Sequence, residues 1–172
     1  MDDLIALDDY GRMVPTDREA LTQAVAQLLD GPGDRPALLR RAGVGLLVLG
    51  RHNEAIRLLR QASALADGKL AIAIHLNLGD AHRYCGDLEA AEPHYQQALR
   101  LSEAGQQDML CFCFQHLGKQ RLDQGRTAEA RVLLEKALRL RSGEGDSSLR
   151  SATETALRLV DRAEAGGGGQ GR

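Results

Sequence analysis

The sequence predicts an all-α solenoid of helix–turn–helix repeats, and three observations carry the prediction. From Pro36 onward apolar residues recur at helical spacing. Short turns at Gly50-Arg51-His52, Gly86-Asp87 and Gly125-Arg126 join successive helices, each with a glycine where a helix end needs a left-handed cap. Small residues return in one register: Gly43, Gly79 and Gly118, then Ala55, Ala91 and Ala130, then Ala62, Ala98 and Ala137, are separated by 36 and then 39 positions in every set. Where two helices cross closely a glycine or alanine lets the backbones approach, and a larger side chain overpacks the contact by ~1–3 kcal/mol.

Taken in order, residues 1–15 carry Asp2, Asp3, Asp8 and Asp9 among Leu4, Ile5, Leu7, Tyr10 and Met13, and read as a loosely ordered acidic arm. Thr16 and Glu19 read as a capping box that opens an extra N-terminal helix with Leu21, Val25, Leu28 and Leu29 on its apolar face. GPGDRP at 31–36 breaks it. Helices are expected at about 36–49, 53–66, 69–85, 88–104, 108–124 and 127–141, with Asn53, Asp87 and Thr127 as N-caps. A capping helix at 147–164 places Leu149, Ala152, Ala156, Leu159, Val160 and Ala163 on one face, and the glycine-rich end at 165–172 reads as disordered. The helical domain thus covers 16–164, with repeats at about 36–69, 72–105 and 111–144.

Composition agrees. Aromatic residues are 3% of the 172 and tryptophan is absent, so Leu, Ala, Ile and Val must build the core. Twenty-two Lys and Arg against 24 Asp and Glu leave a formal net charge of −2, without the basic excess of a nucleic-acid binder. Three cysteines, an odd number without a disulfide framework, point to a reducing compartment. The start MDDLIALDDYGR lacks the pattern of a signal peptide and no run approaches the ~20 apolar residues of a membrane span, so the expected setting is cytoplasmic. The preponderance of arginine over lysine suggests a bacterial, GC-rich source.

The segment HLNLGDAHRYCGDLEAAEPHYQQALRL, with Leu78-Gly79, Ala91, Tyr95 and Ala98, resembles the tetratricopeptide repeat (TPR). Phe114, Leu117-Gly118, Ala130, Leu134 and Ala137 form a second copy; Leu39, Ala42-Gly43, Ala55, Leu59 and Ala62 form a weaker one. The tryptophan slot holds Leu39, His75 and Phe114, and the unit exceeds the usual period of ~34. The longer unit and AEPHYQQAL are similar to the subclass of kinesin light chains and many bacterial regulators, some of which also carry a proline at the place of Pro93. The resemblance implies a right-handed α-solenoid of three helix pairs with an extra helix at each end. It implies a non-catalytic protein- or peptide-binding module, an adaptor, chaperone or regulatory subunit, with the first helices of the pairs lining a concave groove.

Helical geometry picks the groove residues. They are Arg40, Arg41, Val44, Leu47 and Val48 in the first repeat, Leu76, Asn77, Asp80, Arg83 and Tyr84 in the second, and Gln115, His116, Lys119, Leu122 and Asp123 in the third. Four cations against two acids make this wall locally basic, which favours an acidic or carboxylate-bearing partner. Arg40, Asn77 and His116 match slots of the carboxylate clamp of some family members, but Val44 and Phe112 replace two of its residues. The arm at 2–14 has the composition of a ligand for this groove, in its own molecule or a neighbour's. The alternative readings are a homo-oligomerising scaffold without a peptide ligand and a metal or redox sensor.

Chemistry is sparse. His82 and Cys85, and Cys113 and His116, stand at i, i+3, a ligand-like spacing. One pair lies near the end of its helix and the other near the start, an offset of ~12 Å that one zinc does not bridge. Cys111 and Cys113 point in different directions, against a redox pair. Gly43-Val44-Gly45 lacks the third glycine of a dinucleotide loop, Gly118-Lys119 lacks phosphate-loop spacing, and no G-x-S-x-G occurs. Neither an enzyme, a cofactor nor a metal site is expected.

Overall fold

The computed structural model describes residues 1–31, 35–141 and 147–167. Among these residues eight α-helices follow an N-terminal β-hairpin: β1 (Ile5–Leu7), β2 (Met13–Pro15), α1 (Arg18–Leu29), α2 (Pro36–Val48), α3 (His52–Ser63), α4 (Gly68–Tyr84), α5 (Leu88–Gly105), α6 (Leu110–Asp123), α7 (Thr127–Leu140) and α8 (Ser147–Gly167). The dominant packing is between consecutive partners, α2 with α3, α4 with α5 and α6 with α7, and each pair packs on the next. The first helices also touch in sequence, α2 with α4 and α4 with α6, so they form one row. α1 and α8 cover the two ends.

The glycines of the recurring register do what sterics demands. A Cβ at Gly43 would lie 2.8 Å from Leu59 Cγ, at Gly79 2.3 Å from Tyr95 Cε1, and at Gly118 2.7 Å from Leu134 Cγ. The paired alanines 55, 91, 130, 62, 98 and 137 are all buried. Gly50, Gly86 and Gly125 adopt φ of 78°, 82° and 73°, and each sits in a doubly bonded helix end: Gly86 N–H donates to Arg83 O at 3.0 Å and Asp87 N–H to His82 O at 3.0 Å.

Several expectations shift. The cap of α1 is Asp17, whose carboxylate accepts from the Ala20 amide at 3.0 Å, rather than Thr16. Asp87 caps α5 as expected, but α3 and α7 begin directly after Arg51 and Arg126 without a side-chain cap, because the preceding glycine turn already feeds the chain into helix. Asn53 and Thr127 therefore lie inside their helices. α5 runs through Pro93. α8 continues to Gly167, so the tail expected at 165–172 is helical at its start, and 168–172 lie outside the described residues, as do 142–144 of the third expected repeat. Ala152, Ala156 and Val160 of α8 are buried, Leu159 is half-buried and Ala163 is exposed; the Leu149 side chain lies outside the described part.

The largest correction concerns residues 1–15. In place of a loose arm, Asp2–Leu4 form a short 3-10 turn and Ile5–Leu7 pair antiparallel with Met13–Pro15, with Ile5 opposite Pro15 and Leu7 opposite Met13. The turn is built by Asp8, whose carboxylate accepts from the Tyr10 amide at 2.9 Å and the Arg12 amide at 2.8 Å, and by Gly11 at φ 67°. Met1, Leu4, Ile5 and Met13 pack on the core formed by α1 to α4, and that apolar burial is what orders the segment.

Candidate functional site

The row α2, α4, α6 is the predicted groove wall, and the hairpin lies on it. Met13 N–H donates to Tyr84 Oη at 3.0 Å, Lys119 Nζ donates to Gly11 O at 3.2 Å, and the Arg12 guanidinium packs 5.5 Å from the centre of the Tyr84 ring. These grips from α4 and α6 fall mainly on backbone groups. Val44 and Tyr84 are among the residues that pack with Met1, Leu4, Ile5 and Met13.

The predicted groove residues divide accordingly. Leu47, Val48, Leu76, Asn77, Asp80, Arg83 and Gln115 are buried rather than open. Arg40, Val44, Tyr84, His116, Lys119 and Leu122 are half-buried, and Arg41 and Asp123 are exposed. The wall's cations are also partly engaged within the fold. Arg40 Nε donates to Asn77 Oδ1 at 2.8 Å, and Arg83 pairs with Asp123 at 2.9 Å and with Asp80 at 3.5 Å. The matched clamp residues are thus spent within the fold: Arg40 and Asn77 on each other, His116 on Asp80 at 3.0 Å.

Asp80 is the centre of a buried polar network. It accepts from Tyr95 Oη at 2.7 Å and lies within hydrogen-bonding distance of His116 Nδ1. Burial alone would raise its pKa, but the charge and hydrogen bond of His116, with Arg83 and Tyr95 behind them, hold the carboxyl well below the usual range. Gln115 is consumed elsewhere. Arg141 bridges Gln115 Oε1 at 2.9 Å and Thr153 Oγ1 at 2.8 Å, fastening α8 to α6.

Two cavities flank the hairpin turn. One, of about 400 Å³, lies over α4, α6 and α8 and is lined by Asp8, Tyr10, Arg12, Arg83, Lys119, Leu122, Asp123, Ala156 and Leu159. The other, of about 470 Å³, separates Leu7, Asp8 and Asp9 from Ser151, Ala152, Thr155, Arg158, Leu159 and Arg162 of α8. Burial lowers the pKa of Lys119, which Asp80 partly offsets.

The cysteine–histidine pairs go separate ways. His82 stacks on His94 with centroids 5.5 Å apart, Cys85 is exposed, Cys113 Sγ lies 3.3 Å from Ser102 Oγ, and His116 serves Asp80. Among the described residues no group of three or more His, Cys, Asp or Glu is placed to hold a metal, and no helix is long and apolar enough to cross a membrane. The signal that reading by helical period missed was the short alternation around DDYGR, an Asp-led turn with a glycine in the left-handed position.

Consecutive helix pairs with a covered inner row define a helical-repeat protein. A family model described as "Tetratricopeptide repeat" matches residues 34–104 and again 70–143, together more than half of the chain. The chain belongs to the tetratricopeptide repeat family. A search of curated protein sequences finds no match. Among solved structures, the crystal structure of BtubC (BKLC) from P. vanneervenii is similar with a TM-score of 0.58 and 18% identity over 80% of this chain. The chain spans 66% of that protein's length, and at this identity the likeness shows the fold alone.

Proposed function

We propose that this chain is a non-catalytic protein-interaction module, a right-handed solenoid of three TPR pairs whose concave wall holds an extended segment of a partner. One observation carries the reading: the wall already holds main chain of the hairpin, through Tyr84 Oη accepting the amide of strand residue Met13 and Lys119 Nζ donating to the carbonyl of turn residue Gly11. Such grips read a peptide main chain whatever its side chains. Because Arg83 is paired with Asp80 and Asp123, while Arg40 bonds only the neutral Asn77 amide and keeps its charge, the positive charge left toward a ligand is that of Arg12, Arg40, Arg41 and Lys119. The odd cysteine count supports a reducing, cytoplasmic setting.

The test is affinity capture from the source cells with the full chain and with Lys119→Glu combined with Leu122→Glu. Both residues line the open cavity, and neither is hydrogen-bonded to Asp80. The expected result is loss of the captured partner with the variant at unchanged helical content. A partner set retained by the variant removes the concave wall as the site.

A further inference from the structure

We propose that the outer edge of β1, with the cavity beside it, is a strand-addition site for an extended acidic segment of a partner protein. The proposal rests on the interaction-module reading above and adds a site beside the concave wall, between the hairpin and α8.

Ladder parity defines the edge. Asp8 N–H bonds to Arg12 O at 2.9 Å and Thr16 N–H to Leu4 O at 3.0 Å, so residues 4, 6 and 8 face β2 and residues 5 and 7 face away. The two outer edges differ. On β2 the outward positions are Pro15, which has no N–H, and Met13, whose N–H is taken by Tyr84 Oη. On β1 the outward amide of Ile5 donates to Asp2 O in the short 3-10 turn, whereas the outward amide of Leu7 and the outward carbonyls of Ile5 and Leu7 have no hydrogen-bond partner among the described residues. An unpaired strand edge is a template for another strand, and proteins that do not use such an edge usually cover it. Here the Leu7 end of the edge is left open, with Leu7 itself 47% exposed.

The neighbouring cavity supplies the second wall. Its about 470 Å³ separate Leu7 from α8. On the α8 side stand Arg158 and Arg162, and neither has a carboxylate partner among the described residues; Arg158 donates to Thr155 Oγ1 at 2.7 Å. On the hairpin side Asp8 has its carboxylate engaged by the turn amides and Asp9 stands at the tip. Charge complementarity therefore places acidic side chains of the incoming strand toward α8. A second copy of this chain would have to bring a folded solenoid behind its own hairpin, whereas the slot between β1 and α8 suits a single strand.

The experiment uses the full chain and fluorescein-labelled eight-residue peptides, read by anisotropy. The parent peptide alternates valine and glutamate; a second replaces glutamate with lysine; two more carry N-methyl groups on one or the other set of alternate amides. The glutamate peptide is expected to bind at least tenfold more tightly than the lysine peptide. One N-methylated frame is expected to lose tenfold or more, and the other to bind like the parent. Arg158→Glu with Arg162→Glu, both at exposed or half-exposed positions of α8, is expected to reverse the charge preference. Absence of binding by every peptide, equal binding by both methylated frames, or indifference to charge overturns the proposal. Binding that ignores N-methylation but is lost in Lys119→Glu overturns the β1 edge and leaves the concave-wall reading standing. A dimer in light scattering that Leu7→Pro converts to monomer assigns the edge to self-association and likewise overturns it.

Discussion

Tyr95 lies with its ring against Gly79, so close that a Cβ there would be 2.3 Å from Cε1 and 2.6 Å from Cζ, while its hydroxyl donates to Asp80 one residue further along α4. One side chain thus sets both the closeness of the α4–α5 crossing and the anchoring of the buried carboxylate. In the other two pairs the equivalent neighbour is a leucine, Leu59 under Gly43 and Leu134 under Gly118.

Gly79→Ala is therefore the most damaging of the three register substitutions. The rigid ring cannot retreat without releasing Asp80, whereas Leu59 can turn its branched end away from Gly43→Ala. Overpacking of this kind costs ~1–3 kcal/mol, with the ring case at the upper end. In a chain of this size each kcal/mol lowers Tm by roughly 2–4 °C. Thermal unfolding followed by circular dichroism should rank Gly79→Ala below Gly43→Ala; equal midpoints would contradict the ring-locking argument.

Tyr95→Phe keeps the ring and removes the hydroxyl. Asp80 then loses one donor in a site without water access, a loss of about 1.5–3 kcal/mol for a hydrogen bond to a charged group. His116 and Arg83 still hold the carboxylate, so the variant should fold and unfold at lower urea with an unchanged slope. A midpoint equal to that of the unsubstituted protein would mean that the hydroxyl contributes nothing.

Tyr84→Phe addresses the hairpin. Removing the Oη acceptor leaves the Met13 amide without its bond to α4, a net ~0.5–1.5 kcal/mol. Local opening of the hairpin should then be about 2- to 12-fold more frequent, seen as faster amide exchange at residue 13 with the exchange of α4 and α5 unchanged. Unaltered exchange at Met13 would show that apolar packing of Met1, Leu4 and Ile5 alone holds the segment.

The helices and their pairing were legible because they follow from short-range rules. A glycine is needed where Leu59, Tyr95 or Leu134 crosses, and another where a helix must reverse, and both leave marks at fixed spacing. The wall was only partly legible. Helical geometry placed Asp80, Arg83 and Asn77 on one face, but which of them face solvent depends on what lies above, and the hairpin above was read as loose. Three-residue strands carry little periodic signal, and their order comes from burial of Met1, Leu4, Ile5 and Met13 against distant helices. The spending of Gln115 on Arg141 was beyond reach for the same reason, since its partner stands 26 residues on, at the far end of the paired helix α7.

Acid should weaken the α4–α5 contact through three stacked imidazoles. His94 lies between His75, at 5.8 Å, and His82, at 5.5 Å, and the buried His75 Nδ1 and His82 Nε2 have no hydrogen-bond partner among the described residues. Burial, then the neighbouring His82, His75 and Arg60, pushes His94 down to about 4; burial also lowers His75 and His82, the latter against the pull of Asp87 at 3.9 Å. A histidine whose folded pKa lies below its unfolded value of 6.5 favours the unfolded chain, which binds the proton more readily, as pH falls. Stability is thus full above about pH 6.5 and declines toward pH 4. Urea midpoints at pH 7.5 and pH 5.0 should differ more for the unsubstituted protein than for His94→Gln, which keeps a polar group but removes the central titration. If the two proteins lose the same stability over that interval, the stacked imidazoles are not the source of the acid sensitivity.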